Sequence, residues 1–194
     1  LEPDAVWDKL VVQKRGGYCF EQNTLLLRVL EYMGFDVTPI SARVRYQRPR
    51  DFLPPRTHVF VKVKLGPETW FADVGVGAMS LTSAIQFALT AEQATSHEPR
   101  RIVFEEGRYF HQVRFGSEWH DICEFTLEEM PPIDRELGNW FTSAHPQSHF
   151  KNRLLVARAV DDGGRITLLN RDLTFRSRDG QGKTSVIANP GALV

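Results

Sequence analysis

The sequence has few cysteines, no long apolar run and no excess charge of either sign. Its 194 residues include 2 cysteines, too few for a disulfide framework, which indicates a reducing cytoplasmic setting. Structural zinc sites need four ligands, so two thiols give no reason to expect a metal. No stretch of about 18 apolar residues occurs, so we expect no membrane partner. The 24 basic and 24 acidic side chains cancel, and the net charge does not favour a nucleic-acid partner.

What is present is the composition of a globular protein. Hydrophobic residues make up 42% of the chain and charged residues 25%, which are ordinary values for a protein with a packed core. A chain of 194 residues is long enough to bury such a core. We interpret Arg176 and Arg178, near the end of the chain, as solvated strand positions.

The pattern of apolar residues predicts helices first and strands afterwards. Helical spacing covers residues 4–15 and 19–33, and Gly34 provides a stop for the second helix. Apolar and polar positions then alternate in short runs over residues 35–130, which predicts a small antiparallel sheet or barrel. The predicted strands of this region are 35–37, 40–46, 57–65 and 70–74, with further short strands near 101–105, 108–115 and 118–121.

The last part of the chain mixes both kinds of element. A helix is predicted from residue 134 to about 142, and strands are predicted near 153–160, 165–170 and 172–177. Helices, then strands, then a mixed segment predict an α+β protein rather than a parallel sheet. The corresponding domain boundaries are 1–34, 35–130 and 131–194.

Cys19 stands at the start of the second predicted helix, directly after the Gly16-Gly17 turn and Tyr18. A thiol at a helix N-terminus faces unpaired backbone N–H groups and the positive end of the helix dipole, which both favour the thiolate. The glycines permit a tight turn and leave room for a reactant above the sulfur. A lone cysteine is more often a core residue. The assignment of Cys19 as a nucleophile therefore depends on its partners.

His58 and Asp73 are the partners that the strand pattern suggests. His58 opens the strand 57–65, and Asp73 lies on the next predicted strand. A hairpin between these strands brings Asp73 within about two residues of His58 across the pair. A carboxylate there would hold the imidazole tautomer and stabilise imidazolium, while the other ring nitrogen faces the sulfur. The order Cys, His, Asp therefore predicts a catalytic triad.

The other histidines and the second cysteine form weaker arrangements. His97 and His111 lack a nearby acidic residue on a clear strand. His120 precedes Asp121 directly, which places their side chains on opposite faces of a strand. We interpret Cys123 as a core residue, because no glycine turn precedes it. The sequence also has no Gly-x-Ser-x-Gly motif for a serine nucleophile.

Four segments together resemble the arylamine N-acetyltransferase family, most closely its bacterial members. They are Arg15-Gly-Gly-Tyr-Cys-Phe-Glu-Gln-Asn23, Thr57-His-Val59, Ala72-Asp-Val-Gly-Val-Gly77, and Asn139-Trp-Phe-Thr-Ser143 with the His145-Pro146 that follows. The resemblance runs through nearly the whole chain, and the first segment is highly specific. Family chains are longer at both ends, so we expect this chain to lack their N- and C-terminal segments.

The resemblance implies a papain-like arrangement in which a helical bundle carries the cysteine, a β-barrel carries the histidine and aspartate, and an α/β lid follows. It also implies a ping-pong reaction. Acetyl-CoA would acetylate Cys19, CoA would leave, and an arylamine, arylhydrazine or N-hydroxyarylamine would take the acetyl group. Acetyl-CoA is then a co-substrate, and the acceptor is a small-molecule amine or hydrazine.

The family's CoA contacts carry over to Tyr46, Thr57 and the glycine loop of Gly75 and Gly77. Val76 stands where the family commonly has a bulky aromatic residue. We therefore expect a wider wall of the acceptor pocket at Val76 and an altered acceptor preference.

Two other functions are compatible with the same residues. A cysteine hydrolase or transglutaminase-like enzyme would use the same triad on peptides or amides. A non-catalytic binding module would keep the fold without the reaction, although all three triad residue types are present. Transfer and hydrolysis differ in the lifetime of the acetyl-enzyme, because an acyltransferase must protect its thioester from water.

Overall fold

The computed structural model describes residues 1–189 and 191. The chain begins with helix α1 (Pro3–Trp7), which continues as a π-helical turn (Asp8–Val12). The predicted helix 4–15 thus ends earlier than expected, because Lys14 adopts a left-handed backbone with φ of 52°. Helix α2 (Cys19–Tyr32) follows and matches the predicted helix 19–33 closely.

Seven antiparallel strands form the main sheet, in the spatial order β4-β3-β2-β1-β7-β6-β5. Their bounds are β1 Asp36–Val44, β2 His58–Leu65, β3 Glu68–Ala72, β4 Ile85–Gln86, β5 Arg100–Glu105, β6 Arg108–Phe115 and β7 Glu118–Glu129. The predicted strands 35–37 and 40–46 form the single strand β1, which continues through Pro39. Isolated bridges from Leu89 to Ile102 and from Gln93 to Arg100 join the two edges, so the sheet nearly closes into a barrel.

Aromatic side chains fill the inside of this sheet. The rings of Phe60, Phe71 and Phe125 meet edge-to-face with centroids 5.1–5.3 Å apart. Ile40, Ile102 and other apolar residues complete one continuous cluster around them. Buried aromatic pairs of this geometry add to the free energy gained from their buried area. The interior is therefore a packed core, and functional groups must lie at its rim.

The C-terminal part contains two helices and a second sheet. Helix α3 spans Pro132–Ala144 and α4 spans His149–Asn152. The second sheet is an antiparallel meander in the order β11-β10-β9-β8, with bounds β8 Leu155–Ala159, β9 Arg165–Leu169, β10 Asp172–Arg176 and β11 Gly182–Val186. The sequence did not predict β11, since all five of its residues are exposed and carry no alternating pattern.

These elements confirm the predicted α+β class. Residues 190 and 192–194, at the end of the third predicted segment, lie outside the described residues. Over the part of the chain that the structure describes, no helix has both the length and the apolar character that crossing a bilayer requires.

Candidate active site

Cys19 is the first residue of α2 and is 4% exposed. The helix start is held by the Glu21 side chain, which accepts a 3.2 Å hydrogen bond from the backbone N–H of Tyr18 and pairs with Lys9 at 2.7 Å. The sulfur lies 3.5 Å from the carbonyl oxygen of Thr57, on the approach to β2. The thiol thus occupies the positive end of a 14-residue helix.

Helix α2 lies against one face of β2. Val59 packs with Cys19, and Val61 and Val63 pack with Leu27 of the helix. Because side chains alternate along a strand, His58 points the other way, on the side of Phe60 at the rim of the barrel. The packing of the valines therefore brings the start of the helix and the start of the strand together.

His58 and Asp73 form a buried pair, with 2.7 Å between His58 Nε2 and Asp73 Oδ2. Their side chains are 1% and 4% exposed. Strands β2 and β3 pair in the register Val61 to Ala72, which places position 58 opposite position 75, close to Asp73 as expected. With Nε2 bound to Asp73, the remaining ring nitrogen of His58, Nδ1, is the one that can bond to the Cys19 thiol.

The two pKa values of this pair move toward the charged forms. Burial alone would lower the pKa of His58, but the charge and hydrogen bond of Asp73, with a further contribution from Cys19, raise it to about 10. Burial would raise the pKa of Asp73, yet the His58 imidazolium and hydrogen bonds from Gly75 and Asn23 lower it. The site therefore holds an imidazolium beside the sulfur of Cys19 at neutral pH.

Asn23 is a site residue for which the sequence predicted no role. Its side chain is 1% exposed and donates to the Val59 carbonyl at 2.7 Å and to Asp73 Oδ1 at 3.0 Å. Its amide oxygen accepts a 3.0 Å hydrogen bond from the N–H of Val74. Asn23 lies four residues after Cys19, one helical turn along the same face, and that spacing is the signal that could have identified it.

The segment that follows Asp73, residues 74–81, is called here the Asp73 loop. Gly75 donates to Asp73 Oδ1 at 3.0 Å and lies so close to α2 that a Cβ atom there would come within 2.6 Å of Cys19 Cα. Gly77 has a φ of +90°, which favours glycine. Val76 is half-buried and packs against the barrel core. The loop therefore touches the candidate nucleophile directly.

The other predicted ligand contacts lie in different surroundings. Thr57 precedes β2, is partly buried and offers its carbonyl to Cys19. Tyr46 follows β1, is partly buried and packs against the same core cluster as Val76.

Cys123 and His111 lie near the pair but differ from it in their protonation. Cys123 packs in the barrel core, and its sulfur lies within 4.8 Å of ligand atoms of His58 and Asp73. Burial, followed by the charges of Asp73 and Cys19, raises the pKa of Cys123 well above its usual value. Burial and the Arg100 charge lower the pKa of His111 to about 3. At neutral pH Cys123 is a thiol and His111 is neutral, so neither places a charge beside the His58–Asp73 pair.

Comparison with known proteins gives a family match over nearly the whole chain. The sequence profile of the N-acetyltransferase family matches residues 1–193. The arylamine N-acetyltransferase of Mycobacterium tuberculosis is 36% identical over 197 residues, which cover all of this chain and 69% of that protein. The chain belongs to the arylamine N-acetyltransferase family. The Escherichia coli member is 40% identical over 90% of this chain, and the chain spans 62% of that relative's length, less than two thirds.

Solved structures of the family share the fold. The Mycobacterium marinum arylamine N-acetyltransferase in complex with CoA superimposes with a TM-score of 0.93 at 32% identity, over 99% of this chain and 71% of that one. The Salmonella typhimurium enzyme superimposes with a TM-score of 0.90 at 34% identity, over 100% of this chain and 70% of that one. The predicted papain-like arrangement of the family is confirmed for this chain.

Proposed function

We propose that this chain carries the catalytic centre of an arylamine N-acetyltransferase, an acyltransferase in which Cys19 is the nucleophile and His58 and Asp73 complete the triad. The observation that supports the proposal is the buried His58–Asp73 pair, 2.7 Å long, beside a thiol at a helix N-terminus. A raised pKa of about 10 keeps His58 protonated in the resting state. Cys19 is thus paired with a cation that also has a proton to give.

The first half-reaction acetylates the enzyme. The Cys19 thiolate attacks the thioester carbonyl of acetyl-CoA, a new C–S bond forms, and the bond to the CoA sulfur breaks. His58 gives its proton to the departing CoA thiolate and becomes neutral. Asp73 holds the imidazole in place throughout, because its carboxylate is bound to Nε2 and leaves Nδ1 free to transfer the proton.

The second half-reaction regenerates the enzyme. The amine nitrogen of an arylamine, arylhydrazine or N-hydroxyarylamine attacks the Cys19 thioester. Neutral His58 takes the proton that the nitrogen loses, and the Cys19 thiolate leaves beside the restored imidazolium. One relative in Salmonella typhimurium is named both an arylamine N-acetyltransferase and an N-hydroxyarylamine O-acetyltransferase, which supports this acceptor class.

The donor site in this proposal lies along the Asp73 loop. Gly75 and Gly77 bring backbone close to the ligand, and Thr57 and Tyr46 form further contacts. The related Mycobacterium marinum structure is a complex with CoA, which supports acetyl-CoA as the co-substrate. No residue of this chain is required to hold a metal for either half-reaction.

Kinetics with two substrates test the whole proposal. Double-reciprocal plots with acetyl-CoA and an arylamine should give parallel lines, since CoA leaves before the amine reacts. The Cys19→Ser variant should lose the activity, and Cys123→Ser should keep it, which separates the two thiols. Intersecting lines, or a Cys19→Ser variant that remains as active as the wild type, would contradict the ping-pong assignment.

Val76 is proposed to shape the acceptor pocket. Its side chain is smaller than the aromatic residue common in the family, so the wild type should accept bulkier arylamines than Val76→Phe. The test compares the kcat/KM ratio for a bulky and a small arylamine in the two proteins. A ratio that Val76→Phe leaves unchanged would refute this role.

Three further expectations are part of the proposal. The chain divides into a helical segment with the nucleophile (1–34), a barrel domain with His58 and Asp73 (35–130) and a partial α/β lid (131–194). The cytoplasm is the proposed compartment, supported by the two free cysteines. The proposed partners are acetyl-CoA and a small amine or hydrazine.

A further inference from the structure

A buried carboxylate, Glu98, joins the barrel to the second sheet. Glu98 lies just before β5 and is 3% exposed. It accepts hydrogen bonds from Arg100 at 3.1 Å, from Arg165 at 2.8 and 2.9 Å and from Arg176 at 2.6 Å. The interpretation of Arg176 as a solvated strand position is wrong, because its side chain is 16% exposed and pairs with Glu98.

The two arginines of the second sheet face each other across a hairpin. Arg165 opens β9, Arg176 closes β10, and the two are paired in the register of the sheet. Like charges directly opposite each other destabilise a strand pair unless something neutralises them. A carboxylate can accept about four hydrogen bonds, so Glu98 serves both arginines and Arg100 as well.

Two of these arginines also hold the Asp73 loop. Arg100 donates to the carbonyl of Met79 at 3.0 Å, and Arg165 donates to the carbonyl of Ser80 at 3.0 Å. Both carbonyls lie at the far end of the loop, whose near end touches Cys19 through Gly75. The loop is thus fixed at one end by α2 and at the other by the arginines.

Within the described residues, Arg176 makes no such contact with the loop backbone. Its side chain bonds to Glu98 and to the Met79 sulfur, the latter at 3.6 Å, and stacks over the Phe115 ring at 4.4 Å. Arg165 and Arg176 therefore share the same carboxylate and the same strand pair. They differ in whether they hold a loop carbonyl, so Arg176 is a matched control for Arg165.

We infer that Arg165, held in place by Glu98, is a positioning residue that fixes the far end of the Asp73 loop and through it the wall of the acyl-donor site. The consequence for the donor rests on the proposed function, in which Gly75 and Gly77 contact acetyl-CoA. The second sheet then controls donor binding without supplying a group that touches the reacting atoms. Its role differs from that of His58, which acts on the proton.

The loop itself can be observed without any substrate. Amide hydrogen exchange of the full chain, followed by mass spectrometry of a peptide that covers residues 74–81, reports how firmly the loop is held. Arg165→Gln should speed exchange in this peptide at least tenfold, whereas Arg176→Gln should change it less than twofold. Equal exchange in the two variants would overturn the positioning role.

The effect on the reaction is measured in the first half-reaction. Stopped-flow measurement follows the release of CoA from acetyl-CoA. At low acetyl-CoA concentration this rate should be at least tenfold lower in Arg165→Gln than in wild type, mainly because the donor binds more weakly. The rate at saturation should stay within threefold, and alkylation of Cys19 by iodoacetamide within twofold. Arg176→Gln should match the wild type in all three. A loss that is the same in both variants would contradict the inference.

A more conservative substitution of Arg165 controls for the possibility that Arg165→Gln misfolds. Arg165→Lys keeps the positive charge beside Glu98 but lacks the forked guanidinium that reaches Glu98 and the Ser80 carbonyl together. It should fold and lie between the wild type and Arg165→Gln in both exchange and donor binding. If wild-type protein releases no CoA, the proposed function has failed, and the exchange measurement alone still decides whether Arg165 holds the loop.

Discussion

Two buried clusters of charge, built from different residues, lie at the two ends of the Asp73 loop. At one end His58 and Asp73 pair at 2.7 Å beside a thiol, and the pKa of His58 is raised while that of Asp73 is lowered. At the other end Glu98 is surrounded by three arginines. An imidazole can gain and lose a proton near neutral pH, whereas a guanidinium stays charged.

The difference shows why burial alone does not identify a catalytic group. Both clusters are hidden from water, and both carry carboxylates whose pKa values are lowered. Only the His58 cluster contains a group that can pass a proton to a reactant and take it back. The Glu98 cluster contains permanent cations, which suit it to holding backbone in place.

Replacing Asp73 should give the largest loss of activity. Asp73→Asn keeps the shape of the side chain but removes the charge that stabilises the His58 imidazolium and orients its ring. We expect the rate of Cys19 acetylation to fall by about 10⁴-fold, as the loss of the aspartate charge does in a Ser-His-Asp triad. The matched control is Asp161→Asn, at an exposed turn residue, which should leave the rate unchanged. Retention of more than a tenth of the wild-type rate by Asp73→Asn would remove Asp73 from the triad.

Replacing Glu98 should instead give the largest loss of stability. Glu98→Gln leaves the buried Arg100 and Arg165 and the partly buried Arg176 without their anion, and breaking a buried pair in this way costs about 3–5 kcal/mol. Urea unfolding measures the change, with Glu128→Gln as the control, because the Glu128 side chain is 75% exposed. A loss below about 1 kcal/mol would show that water or other groups compensate the arginines.

The pH dependence of this loss has a definite sign. The arginines lower the pKa of Glu98 to about 2, although burial opposes them. A carboxyl whose pKa is lower in the folded state contributes stability that is present above its unfolded pKa and lost as the pH falls through the folded one. The advantage of wild type over Glu98→Gln should therefore be complete above about pH 4.5 and shrink toward pH 2.

The Gly75 contact joins the two clusters through the loop. A Cβ atom at position 75 would come within 2.6 Å of Cys19 Cα and 2.8 Å of Asn23 Nδ2, so the loop or the helix must shift. Gly75→Ala should cost about 1–3 kcal/mol of stability by overpacking and slow acetylation as well. Gly182→Ala, in the exposed strand β11, is the control, because a Cβ atom there would meet only ordinary contacts at 3.8 and 3.9 Å. A Gly75→Ala variant with wild-type stability and a wild-type acetylation rate would show that the loop does not pack tightly against Cys19.

The smallest effect expected is the absence of a His58 titration near neutral pH. Burial lowers the pKa of His58, but the charge and hydrogen bond of Asp73 raise it to about 10, so the imidazole should stay protonated between about pH 6 and pH 8. The NMR signals of the ring should therefore not shift over this range in the wild type. In Asp73→Asn the charge that raises this pKa is removed, so the ring should lose its proton at a lower pH. Wild-type signals that titrate within this range would contradict the raised pKa.

The sequence predicted the proximity of Cys19, His58 and Asp73, but it did not predict the residues that hold the Asp73 loop. That proximity could be predicted from the sequence, because helix starts and hairpin registers follow local rules. Asn23 was within reach of the same reasoning, since it lies one turn from Cys19. The Glu98 cluster could not be predicted in this way. Glu98 is 67 residues from Arg165 in the chain, and no local pattern links two separate sheets.

The limits of the fold prediction have similar causes. Strand β11 has no buried residue and hence no alternating signal, and the first helix ends at Val12 because of the backbone of Lys14. The α+β class and most strands of the barrel were predicted correctly, since their apolar residues alternate clearly. The elements that were not predicted depend on tertiary contacts rather than on the secondary-structure propensity of their residues.

The central claim is that Cys19 accepts an acetyl group from acetyl-CoA. Intact-protein mass spectrometry of the full chain after mixing with acetyl-CoA tests it directly. We expect wild type to gain the mass of one acetyl group, Cys19→Ser to gain none, and an arylamine to discharge the adduct. A folded wild-type protein that gains no acetyl group, or an adduct that persists in Cys19→Ser, would contradict the account.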